Sequence, residues 1–169
     1  MNSLAQGLRL QKAAAIWFLL VFVLKAFAIP LNPALFLGIS GILFAVWLIG
    51  VAICLRGLSG PPRMWAVVLA VTSLALPVAA GLGNIAAGIV GLIGVPIGQY
   101  QLLKQLCRQF SLEKTAQSLQ VVTCLGVTAA WQTVDPNANF FTILLIPVFC
   151  ALFVHALEEI ALGSKAELR

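Results

Sequence analysis

The chain has 169 residues, 62% of them hydrophobic and 9% charged, with a formal charge of +5 and a mean hydropathy of +1.06. An average soluble domain is about 45 to 50% apolar and about 25% charged, so a polypeptide this poor in charge cannot cover its own surface in water. Disorder, a disulfide-stapled secreted domain and a nucleic-acid binder are excluded as well, because each requires many charges, many cysteines or a broad basic face.

Lipid is the solvent that remains, and a helix needs about 20 residues to cross a hydrocarbon core of about 30 Å. The first apolar run covers 13–31 and ends in Pro30-Leu31-Asn32-Pro33, and the second covers 34–55. Arg9 and Lys12 before the first run, with Ala26-Phe27-Ala28 at its end, mimic a secretion signal. Lys25 beside the would-be cleavage site argues instead for a retained first span. Arg56 to Arg63 contains Gly57, Gly60, Pro61 and Pro62 and breaks the helix, since proline lacks the amide donor.

The next run, Met64 to Leu103, has 40 residues and is about 60 Å long if helical, twice the length of one crossing. The Gly81-Leu82-Gly83-Asn84 break divides it into spans at 64–80 and 85–103, which also permits a re-entrant pair. Ser111 is expected to cap the following helix, with Glu113 in its first turn. The membrane part of that helix covers 119–135, and after the 135–139 turn a last span covers 140–162.

The expectation is an all-α polytopic transmembrane bundle, a single domain of six spans in three hairpins. Nine of the ten basic residues then fall on one side, and the turns at 30–33, 81–84 and 135–139 carry none. Because Lys and Arg gather on cytoplasmic loops, both termini are expected in the cytoplasm, with the chain in a bacterial-type inner membrane or an equivalent energy-transducing membrane.

Four cysteines, at 54, 107, 124 and 150, form no CxxC pair, so neither a disulfide framework nor a zinc site is expected. Cys54 and Cys107 are placed near the cytoplasmic surface, where acylation would be feasible, and Cys124 and Cys150 are read as small packing residues. Ala87, Gly91, Gly94 and Gly98 share one face of the fourth span, and Gly38, Gly41 and Ala45 form a similar series on the second. Such bare faces let helices approach closely, either within the chain or against another subunit. Pro77, Pro96 and Pro147 lie inside spans, where a freed carbonyl is tolerated only beside protein or a cavity.

Lys25 is the one basic residue within a span, and Asp135 is the one acidic residue on the opposite side from the basic loops. Thr128 and Gln132 lie on the same sector as Asp135. These four residues make a candidate outward-facing polar pocket, with Lys25 snorkelling to the interface. His155, Glu158 and Glu159 sit at helical spacing on the last span. They make a weak proton or metal site, because a di-metal bundle needs further ligands from other helices. Placement of the two glutamates among headgroups near Arg56, Lys104 or Arg108 is the plainer reading.

No nucleophile–base couple, GxSxG or second histidine is present, so no enzyme activity, metal or cofactor is expected, and a single imidazole disfavours haem or pigment binding. The leading functional expectation is a non-catalytic subunit or assembly scaffold that packs in the bilayer against other membrane proteins or a second copy. The alternative is a small-solute carrier or permease component, with the Lys25 and Asp135 pocket as its site.

Overall fold

The computed structural model describes residues 3–26, 32–134 and 140–166, and within them it is helical, with no strand. The elements are α1 (Ser3–Ala26), α2 (Pro33–Arg56), α3 (Gly60–Leu82), α4 (Ile85–Gln109), α5 (Glu113–Val134) and α6 (Phe140–Ala166). At 22 residues for the shortest and 27 for the longest they are about 33 to 40 Å long. Among the described residues three segments are long and apolar enough to cross a membrane: Gly38–Arg56, Gly60–Ala79 and Ile85–Gln109. The α3 and α4 helices are both full-length rods, of 23 and 25 residues.

Local chemistry accounts for the helix ends. Gly83 takes a left-handed φ of 62° to close α3, and the Asn84 side chain caps α4 by accepting the Ala87 amide at 3.1 Å. The prolines after Gly60 open α3, where a missing amide hydrogen costs nothing. Ser111 does not cap α5 as the sequence suggests. It stands at φ 55° just past the end of α4, with its amide on Arg108 O at 3.3 Å and the Leu112 amide on Cys107 O at 2.8 Å. That pair of bonds is a Schellman closure, so Ser111 satisfies the last carbonyls of α4 instead of the first amides of α5. The first helix also begins ten residues before the apolar run, at Ser3.

Close contacts fix the direction of each hairpin. Gly7 of α1 meets Gly50 and Cys54 of α2, while Ser3 meets Gly57. Gly91, Gly94 and Gly98 of α4 meet Leu76, Thr72 and Leu69 of α3 in turn. Thr115 of α5 bonds Glu159 of α6, and Gly163 lies against Phe110 and Leu112. Each sequential pair is therefore antiparallel. Packing continues from α2 to α3, from α4 to α5 and from α6 back to α1, closing the helices into a ring.

The dense core occupies one end of this ring. Leu4, Leu8, Val51, Leu69, Leu106, Leu157 and Ile160 are all buried there, beside the ends of α2, α4 and α6 and the starts of α1, α3 and α5. Arg9, Arg56, Arg63, Arg108 and Lys114 are exposed around the same end. Elsewhere the outer surface is apolar, with Ile42 at 66% exposure and Ile85 at 80%, as expected of a surface wetted by hydrocarbon. Hydroxyls on the apolar helices bond back to carbonyls one turn earlier, as Ser73 does to Leu69 O at 2.6 Å and Thr123 to Leu119 O at 2.8 Å.

Candidate functional site: a cavity inside the helix ring

Above the packed end the ring opens into a cavity of about 400 Å³. Every helix contributes to its wall: Ala15 from α1, Trp47 from α2, Leu76 from α3, Val95 from α4, Val122 from α5 and Phe153 from α6. Leu103 and Leu119 belong both to the lining and to the core, and so form its floor. Small residues supply part of the space, since Ala14 and Ala15 are the described α1 residues that face it. Two stacked aromatic pairs stiffen the wall on either side of α1: Phe44 with Trp47, ring centroids 5.9 Å apart, and Phe149 with Phe153, 5.8 Å apart.

Among the described residues the polar groups on the lining are few, namely Gln99, Tyr100, Thr123 and Cys150. The Thr123 hydroxyl is committed to Leu119 O, and Lys104 Nζ stands 5.3 Å from the centroid of the Tyr100 ring. Gln99, 8% exposed, donates through Nε2 to Gln11 Oε1 at 3.3 Å. Gln11, fully buried, donates in turn to Cys54 Sγ at 3.6 Å, and the Cys54 thiol reaches Leu4 O at 3.7 Å. This polar thread ties α4, α1 and α2 together beneath the cavity. Among the described residues Gln99 Oε1 has no hydrogen-bond partner.

A second cluster sits at the packed, basic end. Glu158 pairs with Lys12 Nζ at 2.9 Å, so its ionic partner is the α1 lysine, not Arg56, Lys104 or Arg108. Glu159 accepts the Thr115 hydroxyl and lies 3.7 Å from His155 Nε2. The glutamates thus brace α6 against α1 and α5. Among the described residues no group of three His, Cys, Asp or Glu side chains is arranged to hold a metal.

The other residues singled out in the sequence are distributed as follows. Lys25 falls on α1, and Thr128 and Gln132 on α5; their side chains, and the whole of Asp135, lie outside the described residues. On α4 the small face is filled by α3 of the same chain at Gly91, Gly94 and Gly98, while Ala87 is half-buried. The α2 series differs: among the described residues a Cβ at Gly38 or Gly41 would meet nothing within 4 Å, and Ala45 is exposed. Cys54 and Cys107, placed near a surface by the sequence, are buried at 0% and 1% exposure, which removes them as acylation sites. For Cys54 the packing behind this is the α1–α2 approach at Gly7 and Gly50, two glycines that sequence reading passed over, continued at Gly57, which the sequence marked only as a helix breaker. Gln11 and Gln99 were passed over too, although each is an uncharged polar residue next to an apolar stretch and so needs a partner.

No known protein family, curated protein or solved structure matches the chain. The cavity and the two polar clusters are the chemistry from which a function can be read.

Proposed function

We propose that the protein is a non-enzymatic integral membrane protein that holds a small, largely apolar molecule inside its helix ring, as the binding component of a carrier or permease. One observation carries this reading: all six helices line a single cavity of about 400 Å³, within the size range of small-molecule sites. The proposal includes six crossings, with both termini on the basic, cytoplasmic side of a bacterial-type inner membrane. The exposure of Arg9, Arg56, Arg63, Arg108 and Lys114 at one end supports that orientation. In it the packed core seals the cytoplasmic end, and the cavity belongs to the middle and far half of the bilayer.

The experiment is to purify wild type and Ala15→Phe in mild detergent and compare by mass spectrometry the small molecules each retains. Ala15 lines the cavity, so a phenyl group there takes up volume the ligand needs. A compound retained at about one per chain by wild type and lost from the variant is the expected result. Identical retention by both would end the reading.

A second reading, a subunit that packs against another membrane protein or a second copy, is favoured by the uncovered Gly38, Gly41 and Ala45 on α2. Cross-linking through Gly41→Cys in native membranes would give a defined adduct on that reading. On the carrier reading alone it would give none.

A further inference from the structure

We infer that the cavity's ligand is an apolar body bearing one hydrogen-bond donor, and that Gln99 Oε1 receives that donor; the inference rests on the cavity-binding reading above. Among the described residues the rest of the lining is mostly hydrocarbon and aromatic ring, in Leu43, Phe44, Trp47, Leu76, Val95 and Phe153, with the Tyr100 and Thr123 hydroxyls and the Cys150 thiol as its other polar groups. Among the described residues no charged side chain lines the cavity, so a charged solute would lose its hydration against that wall with no counter-ion there to replace it, which favours a neutral ligand. Thr123 gives its hydroxyl proton to the Leu119 carbonyl, and its oxygen, like that of Tyr100, is a weaker acceptor than an amide oxygen.

Gln99 is different because its amide is held by one end only. Its Nε2 is anchored 3.3 Å from Gln11 Oε1, and Gln11 is itself anchored 3.6 Å from Cys54 Sγ. The oxygen is left without a partner among the described residues, in a side chain that is 8% exposed and part of the cavity wall. A buried acceptor with no donor is disfavoured by about a tenfold factor or more in an equilibrium constant. A ligand N–H or O–H removes that penalty. The oxygen itself is buried, and a donor in the cavity reaches it through a small turn of the Gln99 side chain, whose terminal torsion is broad, with Nε2 staying within reach of Gln11. A bare lipid chain could fill the same volume but would leave the oxygen unmet.

The test uses the full chain in lipid nanodiscs and two matched probes, 2-naphthol and 2-methoxynaphthalene, which share a ring system and differ in the donor. Binding is measured by equilibrium dialysis, with empty nanodiscs as the partitioning blank. Wild type is expected to bind 2-naphthol about tenfold more tightly than the ether, and Gln99→Met to bring the two within about twofold. Should Gln99→Met not fold, Gln99→Asn withdraws the oxygen by one methylene and is expected to lose the preference in the same way. Saturable but equal binding of both probes to wild type overturns the inference and leaves the cavity reading standing. Saturable binding of neither probe overturns the cavity reading and this inference together.

Discussion

Gln99 and Gln11 lie 88 positions apart in the chain and are joined by a buried hydrogen bond of 3.3 Å between their side-chain amides. The bond links α4 to α1 directly under the cavity, and Gln11 extends it to Cys54 on α2. In apolar surroundings such a bond matters chiefly through the cost of breaking it from one side. Gln11→Met leaves the Gln99 amide N–H with no acceptor and is expected to cost about 1 to 3 kcal/mol. The double variant Gln11→Met/Gln99→Met is expected to cost less than the sum of the single changes, because it removes both polar ends. Unfolding by sodium dodecyl sulfate titration in mixed micelles measures both quantities, and additive losses would count against the coupling.

The glycines should separate into three grades. At Gly50 a new Cβ would lie 2.8 Å from the Gly7 carbonyl oxygen, a backbone atom that cannot turn aside, and Gly50→Ala is expected to cost about 1 to 3 kcal/mol. At Gly91 the nearest atom, at 2.5 Å, is a terminal methyl of Leu76, which can change rotamer, so the loss there is expected to be smaller. A Cβ at Gly41 would meet nothing within 4 Å among the described residues, and Gly41→Ala is expected to be neutral or to gain up to about 1 kcal/mol from helix propensity. The same micelle titration ranks the three variants.

Lys12 and Glu158 form the ion pair that closes α6 onto α1. Their side chains are 27% and 53% exposed, so a coupling of only about 0.2 to 1 kcal/mol is expected from a double-mutant cycle with Lys12→Met and Glu158→Gln. The reversed pair Lys12→Glu/Glu158→Lys should recover part of the loss seen in either single reversal. A failure of the reversed pair to recover anything would show that the two charges act separately.

Orientation is open to labelling from either side of the membrane. In a Cys124→Ala background, Ser59→Cys is expected to react with an impermeant maleimide only from the cytoplasmic side, and Gly81→Cys only from the opposite side. The remaining native thiols, Cys54, Cys107 and Cys150, are buried and should stay unlabelled until the protein is unfolded. Labelling of both introduced cysteines from one side would contradict a full crossing by α3.

Helix number and approximate limits were legible because breakers and caps act locally. Gly83-Asn84 ends one helix and begins the next through its own backbone and side chain, with no help from tertiary contacts. The Ser111 turn was misread because serine suits an N-cap in general; here the Leu112 amide is drawn to Cys107 O, and Ser111 closes the helix behind it. The start of α1 at Ser3 was missed because the segment from Leu4 to Gln11 is not a continuous apolar run. It is helical because it packs into the core at Leu4, Leu8 and Gln11. The cavity was not legible at all. Its wall draws on all six helices, and periodicity within one helix says which residues share a face but not which faces meet around a void. For the same reason the glycines of α4 could be seen as a packing face without their partner, α3, being identified.

The central claim is that the ring encloses a ligand site, and a binding isotherm for radiolabelled naphthalene in nanodiscs tests it most directly. Wild type should show saturable uptake of about one molecule per chain above the lipid blank, and Ala15→Phe, with the cavity partly filled, should show the blank alone. Linear uptake, equal in wild type, variant and empty nanodiscs, would mean that the space between the helices holds nothing in particular.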